Sequence, residues 1–269
     1  MNLSVFYDHI RCAAEQKKKP LAEVLKAVRE MGYTMAEVDF DALNRDSSIA
    51  DTLRAADMGI ASVYCFFRFE KEKQQERIRQ LVDTALAAGV KRVMPIPGFF
   101  QQESKPQEEL ERMLASMQEL CTLADQAGLT VTIEDFGHAM SPINSSAGMR
   151  LFLDALPTLQ ATFDTGNFSF TGEAEMSAFQ VLKDRIAHVH LKDWQRTEQY
   201  GTDGLKTLTG TQLYPSPIGK GIVPMGDILQ NLRQIGYDGA LSVEHFGCTD
   251  QFAAMQDSAA FVRSFFPQL

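Results

Sequence analysis

The sequence predicts an α/β protein with a single (β/α)8 TIM barrel that spans residues 1–269. Eight short apolar or β-branched segments alternate with longer amphipathic segments, and this order of elements is typical of a barrel of parallel strands. Barrels of this type take about 250 residues. A doubly wound open sheet is the competing fold, but no G-x-G-x-x-G motif follows the first predicted strand.

The strands are predicted from runs rich in apolar and β-branched residues. In chain order these runs are LSVFYD, MAEVDF, GIASVYCFF, KRVMPIPG, LTVTIEDFG, LQATFDTG, IAHVHLKDW and GALSVEHFG. The segments between them place apolar residues at helical spacing, and several end in a glycine of the kind that follows helices: Gly32, Gly89, Gly128 and Gly236. The longest segment predicted to be irregular runs from Gln195 to Ile218.

Composition and charge argue against several classes of protein. The net charge of −9 and the pI near 5.1 disfavour a nucleic-acid partner, which would need a basic surface. No run of about 18 apolar residues predicts a membrane span, and the N-terminal segment lacks the pattern of a signal peptide. The four cysteines form no CxxC motif, so we expect reduced thiols in a cytoplasmic protein.

Four of the predicted strands end in the same way. TIEDF, TFDTG, HVHLK and SVEHF each place a small polar residue or histidine two positions before a residue that can bind a metal. Because side chains alternate along a strand, both members of each pair face the barrel axis, and the apolar residue between them faces the helices. The metal-binding members, which fall at the carboxyl-terminal mouth where such barrels carry their active sites, are Glu134, Asp164, His190 and Glu244.

Three carboxylates that converge in this way need a compensating charge, because they repel one another and lose solvation. One divalent cation would supply that charge, with His190 as a neutral nitrogen ligand. The oxygen-rich ligand set favours Mn²⁺, with Mg²⁺, Co²⁺ and Zn²⁺ as alternatives. A single acidic residue at a strand end is usually only solvated, whereas four residues in the same phase on consecutive strands predict a metal site.

The chain resembles the xylose-isomerase-like TIM-barrel superfamily of sugar isomerases and epimerases, including the ketose 3-epimerases. The resemblance covers nearly the whole chain and is most specific in the motifs IED, FDTGN, HVHLKD and SVEH. It implies that Glu134, Asp164, His190 and Glu244 bind the metal. It also implies that His188, one layer deeper, orients the substrate or the site.

The predicted reaction is isomerisation or epimerisation of a ketose or a related polyol ketone, free or phosphorylated. A metal that chelates the carbonyl and the adjacent hydroxyl stabilises the enediolate formed when the carbon between them loses its proton. Glu134 and Glu244 are the predicted catalytic base and acid, as in the ketose epimerases that the chain resembles.

Further substrate contacts are predicted at five positions. Arg196 lies six residues after His190, a spacing at which related epimerases carry a substrate-binding arginine. Lys192 shares the strand phase of His190, and His138 follows Glu134 in a loop. Tyr7, near the end of the first strand, and Cys65, near the end of the third, are further candidates for the pocket wall, although packing explains them equally well.

Two positions qualify this assignment. Glu37 in the second strand is predicted to support the site from behind the ligands. The superfamily often has a histidine three residues after the aspartate ligand, whereas this chain has Asn167. Asparagine can bond a substrate oxygen but cannot serve as an imidazole acid, so the substrate preference of any particular epimerase does not transfer to this chain.

Three rival functions stay open. A dehydratase or lyase of the same superfamily, acting on an inosose or dehydroshikimate, would use the same metal but expel a β-hydroxyl group. An endonuclease IV-type repair enzyme would need additional histidines for three zinc ions, and VYCFF, MPIPG and Asn167 stand where they are required. A non-catalytic sugar-binding barrel is the third. The sequence leaves open whether the chain self-associates.

Overall fold

The strands form a closed barrel in the computed structural model, which describes residues 1–101 and 105–269. In this part of the chain the strands are β1 (Asn2–Phe6), β2 (Met35–Asp39), β3 (Gly59–Phe66), β4 (Arg92–Ile96), β5 (Thr130–Glu134), β6 (Gln160–Asp164), β7 (Ile186–Gln195), β8 (Leu205–Lys206), β9 (Gln212–Ser216) and β10 (Ala240–Glu244). Strands β1 to β7 pair in parallel in chain order, and β10 pairs in parallel with both β7 and β1. The eight predicted strands and the (β/α)8 TIM barrel are therefore confirmed.

Helices surround the barrel. Those of the described ranges are α1 (Tyr7–Lys17), α2 (Leu21–Glu30), α3 (Phe40–Arg45), α4 (Ser48–Ala55), α5 (Gln75–Ala87), α6 (Pro106–Gln126), α7 (Ser146–Ala155), α8 (Glu175–Leu182), α9 (Met225–Gln234) and α10 (Gln251–Phe265), with a 3-10 helix at Asn167–Phe170. The four glycines predicted to follow helices come two residues after the ends of α2, α5, α6 and α9 and have positive φ angles. Within residues 1–101 and 105–269, no helix has both the length and the apolar character needed to cross a membrane.

The segment from Gln195 to Ile218 differs from the prediction. It contains β8 and β9, which pair with each other in antiparallel fashion, and β9 also pairs with the end of β7. Its strands are short and its sequence is polar, so it lacks the apolar alternation by which the barrel strands were recognised. This ribbon extends the sheet beyond the barrel and lies at the carboxyl-terminal mouth.

The strand alternation places apolar side chains between the barrel and its helices, and polar side chains inside the barrel. Ile133, Phe163 and Val243 are fully buried in the hydrophobic core. Inside the barrel, the Thr162 hydroxyl donates a hydrogen bond of 2.8 Å to the hydroxyl of Thr132. This interior layer supports the ends of the strands, where the candidate site lies.

Asp193 holds the loop that follows the ribbon. Its buried carboxylate accepts backbone N–H bonds from Trp194, Gly219, Gly221 and Val223 at 2.9–3.1 Å. A Cβ atom at Gly221 would lie 2.0 Å from the Asp193 Oδ1 atom, so this close approach requires glycine. One carboxylate thus fixes residues 219–223 against β7.

We expect Asp193→Asn to lower the free energy of unfolding by about 2–4 kcal/mol, because the amide retains one acceptor oxygen and leaves buried N–H groups unpaired. Urea denaturation would measure the loss, and hydrogen exchange should increase at residues 219–223. Asp83→Asn, at an exposed position on α5, is the matched control. Equal stabilities of the two variants would contradict the anchoring role of Asp193.

Candidate metal centre and cavity

Four side chains converge at the carboxyl-terminal mouth of the barrel. Glu134, Asp164 and Glu244 are the last residues of β5, β6 and β10, and His190 on β7 is level with Asp164 in the strand register. One nitrogen or oxygen atom from each side chain lies within 4.8 Å of the corresponding atom of every other. All four residues are buried. The structure thus brings together the four residues predicted as ligands.

The donor atoms suit a cation. His190 Nδ1 lies 2.5 Å from Glu134 Oε1 and 3.6 Å from Glu244 Oε2. Asp164 Oδ1 accepts backbone N–H bonds of 2.7 Å from Gly166 and Asn167, which fix the orientation of the carboxylate. Asp164 Oδ2 is buried and has no hydrogen-bond partner among the described residues. An oriented carboxylate with one oxygen that accepts no hydrogen bond, next to two further carboxylates and an imidazole, fits a divalent metal ion.

Lys192 lies beside these carboxylates. Its ammonium forms an ion pair with Glu244, lies 3.6 Å from Asp164 Oδ2 and donates a 2.9 Å hydrogen bond to Asn167 Oδ1. Burial lowers the pKa of Lys192, but Asp164, Glu244 and Glu134 outweigh that effect and raise it. Burial raises the pKa of both Glu134 and Asp164. The carboxylates of Glu134, Asp164 and Glu244 thus outnumber the one ammonium beside them, and a divalent cation would offset that excess.

A second layer lies beneath the four residues. Glu37 Oε1 contacts His188 Nε2 at 2.5 Å, accepts a 2.7 Å hydrogen bond from the Ser242 hydroxyl and lies 3.8 Å from His190 Nε2. Burial lowers the pKa of His188 to about 4, so this ring is neutral and donates its Nε2–H to Glu37. His188 is therefore placed to orient the site through Glu37 and does not line the cavity among the described residues.

A cavity of about 380 Å³ opens above the four residues. Of the predicted site residues, Glu134, Glu244, Asn167 and Lys192 line it. Its remaining described lining is predominantly apolar and aromatic: Phe6, Tyr64, Phe66, Met94, Ile96, Phe136, Gly137, Trp194, Leu205 and Phe246. None of these ten wall residues was predicted from the sequence to line the cavity. Extending the strand alternation to β3 and β4 would have indicated Tyr64 with Phe66 and Met94 with Ile96.

Four other predicted contact residues lie outside the described lining of the cavity. Tyr7 is the first residue of α1 and is buried in the core, because β1 ends one residue earlier. Cys65 lies between two cavity-lining residues of β3, so its side chain faces away from the cavity. It is fully buried in the same core. Arg196 is exposed, and so is His138, whose ring packs against Phe99 with centroids 5.0 Å apart. The structure gives no support for substrate contacts at these positions.

Comparison with known proteins identifies the family of this chain. The family model described as xylose isomerase-like TIM barrel matches residues 25–265. An inosose dehydratase of Lacticaseibacillus casei is 28% identical over 143 residues, which cover 51% of this chain and 47% of that protein. The match therefore spans about half the length of this curated relative.

Two solved structures show the same fold. A D-psicose 3-epimerase from Clostridium cellulolyticum H10, crystallised with D-tagatose, superposes with a TM-score of 0.75 at 15% identity, over 98% of this chain and 99% of its own. A xylose isomerase-like barrel protein from Mycobacterium smegmatis, in complex with magnesium, has a TM-score of 0.69 at 19% identity, over 92% and 88%. With the family model covering most of its length, the chain belongs to the xylose isomerase-like TIM barrel family, which includes epimerases and dehydratases.

Proposed function

We propose that the protein is a divalent-metal-dependent isomerase or epimerase that moves a proton within a ketose or a related polyol ketone. The observation that supports this most directly is the position of Glu134 and Glu244. Both belong to the four-residue cluster, and both also line the cavity. They can therefore contact the metal and the substrate at once. We propose Mn²⁺ as the ion, because the cluster offers three carboxylates and one imidazole.

The two glutamates would share the proton transfer. One carboxylate removes the proton from the carbon next to the carbonyl, and the other returns a proton to the same carbon or its neighbour. The bound cation supplies stabilisation of the negative charge that develops on the substrate oxygens. Burial raises the pKa of Glu134, which makes the protonated form of this carboxyl less costly than it is in water.

Asn167 and Lys192 would orient the substrate. The Asn167 side chain donates a 2.8 Å hydrogen bond to the Asp135 carbonyl oxygen and accepts the bond from Lys192, so both of its ends are held. Lys192 in turn is held by Glu244. The ammonium thus stands in the cavity beside a proposed catalytic carboxylate, where it can donate to a substrate oxygen.

A dehydratase is the second candidate, because the inosose dehydratase of L. casei is among the matched curated relatives. The same carboxylates would remove the proton, and a β-hydroxyl group would leave in place of the reprotonation step. Lys192 is a candidate proton donor to that leaving group, since Lys192 lines the cavity and its ammonium lies beside Glu244.

One experiment tests both candidates. Protein loaded with Mn²⁺ is incubated in deuterated water with a panel of ketoses and inososes, and the products are followed by NMR and mass spectrometry. Deuterium incorporated without loss of water supports the isomerase or epimerase, and loss of one water supports the dehydratase. Neither result with any panel member would contradict both proposals and favour the non-catalytic sugar-binding barrel.

A further inference from the structure

The cavity wall carries little positive charge. Among the described residues that line it, Lys192 is the one cationic side chain. Its ammonium is already engaged by Glu244, Asp164 and Asn167. Proteins bind phosphate groups through arginine, lysine or backbone N–H groups at helix N-termini, because a buried dianion needs compensating charge. The described lining offers no further cation of this kind.

The charge balance leads to the same conclusion. The three carboxylates of the cluster and the carboxylate of Glu37, 3.8 Å from His190, outnumber the ammonium of Lys192, so a divalent ion leaves no surplus positive charge at the site. A phosphate in this cavity of about 380 Å³ would lie close to the three carboxylates. Repulsion and loss of hydration would both disfavour it. An uncharged ligand avoids both costs.

Apart from Glu134, Asn167, Lys192 and Glu244, the described lining of the cavity is predominantly apolar and aromatic. Four aromatic rings and three aliphatic side chains line it together with Phe6, which packs against His190; the four rings are those of Phe66, Phe136, Trp194 and Phe246. The Trp194 Nε1–H group bonds the carbonyl oxygen of Gly166, and the Tyr64 hydroxyl bonds Asp8, so these polar groups are already paired within the protein. Such a wall favours C–H surface over hydroxyl groups, because few donors or acceptors remain for the latter.

We propose that the substrate is a small, unphosphorylated hydroxyketone whose end distal to the metal presents C–H surface to this aromatic wall. This inference rests on the proposed function for the orientation of the ketone toward the metal. It narrows the substrate class in two respects. Sugar phosphates are excluded, and a substrate that lacks hydroxyl groups at its distal end is favoured. The cavity volume is at the lower end of the range for small-molecule sites, which fits one monosaccharide-sized ligand.

A matched series of ligands tests the inference without turnover. D-fructose, 6-deoxy-D-fructose and D-fructose 6-phosphate share C1 to C5 and differ in the substituent on C6, the carbon farthest from the ketone end. The 6-deoxy sugar and the phosphate both lack the free C6 hydroxyl that closes the pyranose ring, so the comparison between these two isolates the phosphate group. Titrations by saturation-transfer difference NMR, with protein loaded with diamagnetic Mg²⁺, yield a dissociation constant for each. We expect the 6-deoxy sugar to bind at least as tightly as fructose, and the phosphate to bind at least about tenfold more weakly. Equal or tighter binding of the phosphate overturns the inference, as does the absence of binding by all three.

A charge introduced at the wall provides a second readout. Leu205→Arg would place a guanidinium at the edge of the cavity and should improve the affinity for the phosphate relative to fructose. Leu208→Arg is the matched control, because Leu208 lies in the same segment, is 57% exposed and is not part of the described lining. The placement of the distal end at this wall would be contradicted if Leu205→Arg left the ratio of the dissociation constants of the phosphate and fructose unchanged. It would also be contradicted if both variants changed that ratio equally.

The binding series and the deuterium-exchange experiment can fail independently. Preference for the unphosphorylated ligands without exchange or dehydration would contradict the proposed function and support the inference on the cavity. Exchange in the phosphorylated ligand at an equal or higher rate would support the proposed function and overturn the inference.

Discussion

Glu244→Gln should lower the rate of solvent-deuterium incorporation into a ketose substrate by roughly 10²–10⁴-fold, the range over which a positioned acid or base contributes. The amide has nearly the same shape as the carboxylate but cannot accept the substrate proton. It also withdraws a negative charge from the metal cluster and from the ion pair with Lys192. The protein should stay folded, because Glu244 lies at the end of β10 with one side toward the cavity.

The rate would be measured by mass spectrometry of the ketose in deuterated water at saturating Mn²⁺, so that weaker metal binding does not by itself account for the loss. Glu30→Gln, at an exposed position on α2, serves as the control and should retain wild-type activity. Thermal unfolding would establish that both variants are folded. Activity of Glu244→Gln at the wild-type level would contradict the catalytic role proposed for this residue.

His190→Ala should remove the divalent ion. The wild-type protein, purified without a chelating column, is expected to contain one ion per chain by inductively coupled plasma mass spectrometry. Loss of the imidazole takes away the nitrogen ligand and releases Glu134, whose Oε1 lies 2.5 Å from His190 Nδ1. Affinity should fall by more than the roughly 10–100-fold that loss of an outer partner of a ligand costs.

Two further variants separate metal binding from folding. His190 is fully buried and packs edge-on against Phe6, so its truncation also leaves a void. His190→Gln retains most of the volume and should still lose the metal. His138→Ala removes an exposed histidine outside the described cavity lining and should keep the metal.

Three zinc ions per wild-type chain would favour the endonuclease alternative. No metal in the wild type, even after addition of Mn²⁺, would contradict the metal site.

The strand alternation in the sequence was sufficient to predict the fold and the convergence of the four candidate ligands. Parallel barrel strands share a direction, so residues at their carboxyl ends share one mouth, and a period of two decides which of them face the axis. Glu134, Asp164, His190 and Glu244 satisfy both conditions. Neither condition depends on the loops, and the four side chains lie together in the structure.

Other features around those residues were decided only by the tertiary structure. The first strand ends at Phe6, so Phe6 lines the cavity and Tyr7 begins a helix. His138 and Arg196 lie in loops, where no period defines the direction of a side chain, and both are exposed. The register between β2 and β3 shifts at Glu37, which no pattern in either strand reveals.

The polar contacts of Lys192 and the apolar composition of the cavity wall likewise depend on segments that are distant in sequence. Lys192 reaches Glu244 and Asn167, which lie 52 and 25 positions away along the chain. Leu205 enters the wall from the ribbon that sequence analysis treated as irregular. Local periodicity thus determined which side chains face the barrel axis. The packing of loops from several strands determined the charge and polarity of the cavity, because those properties depend on contacts between residues far apart in sequence.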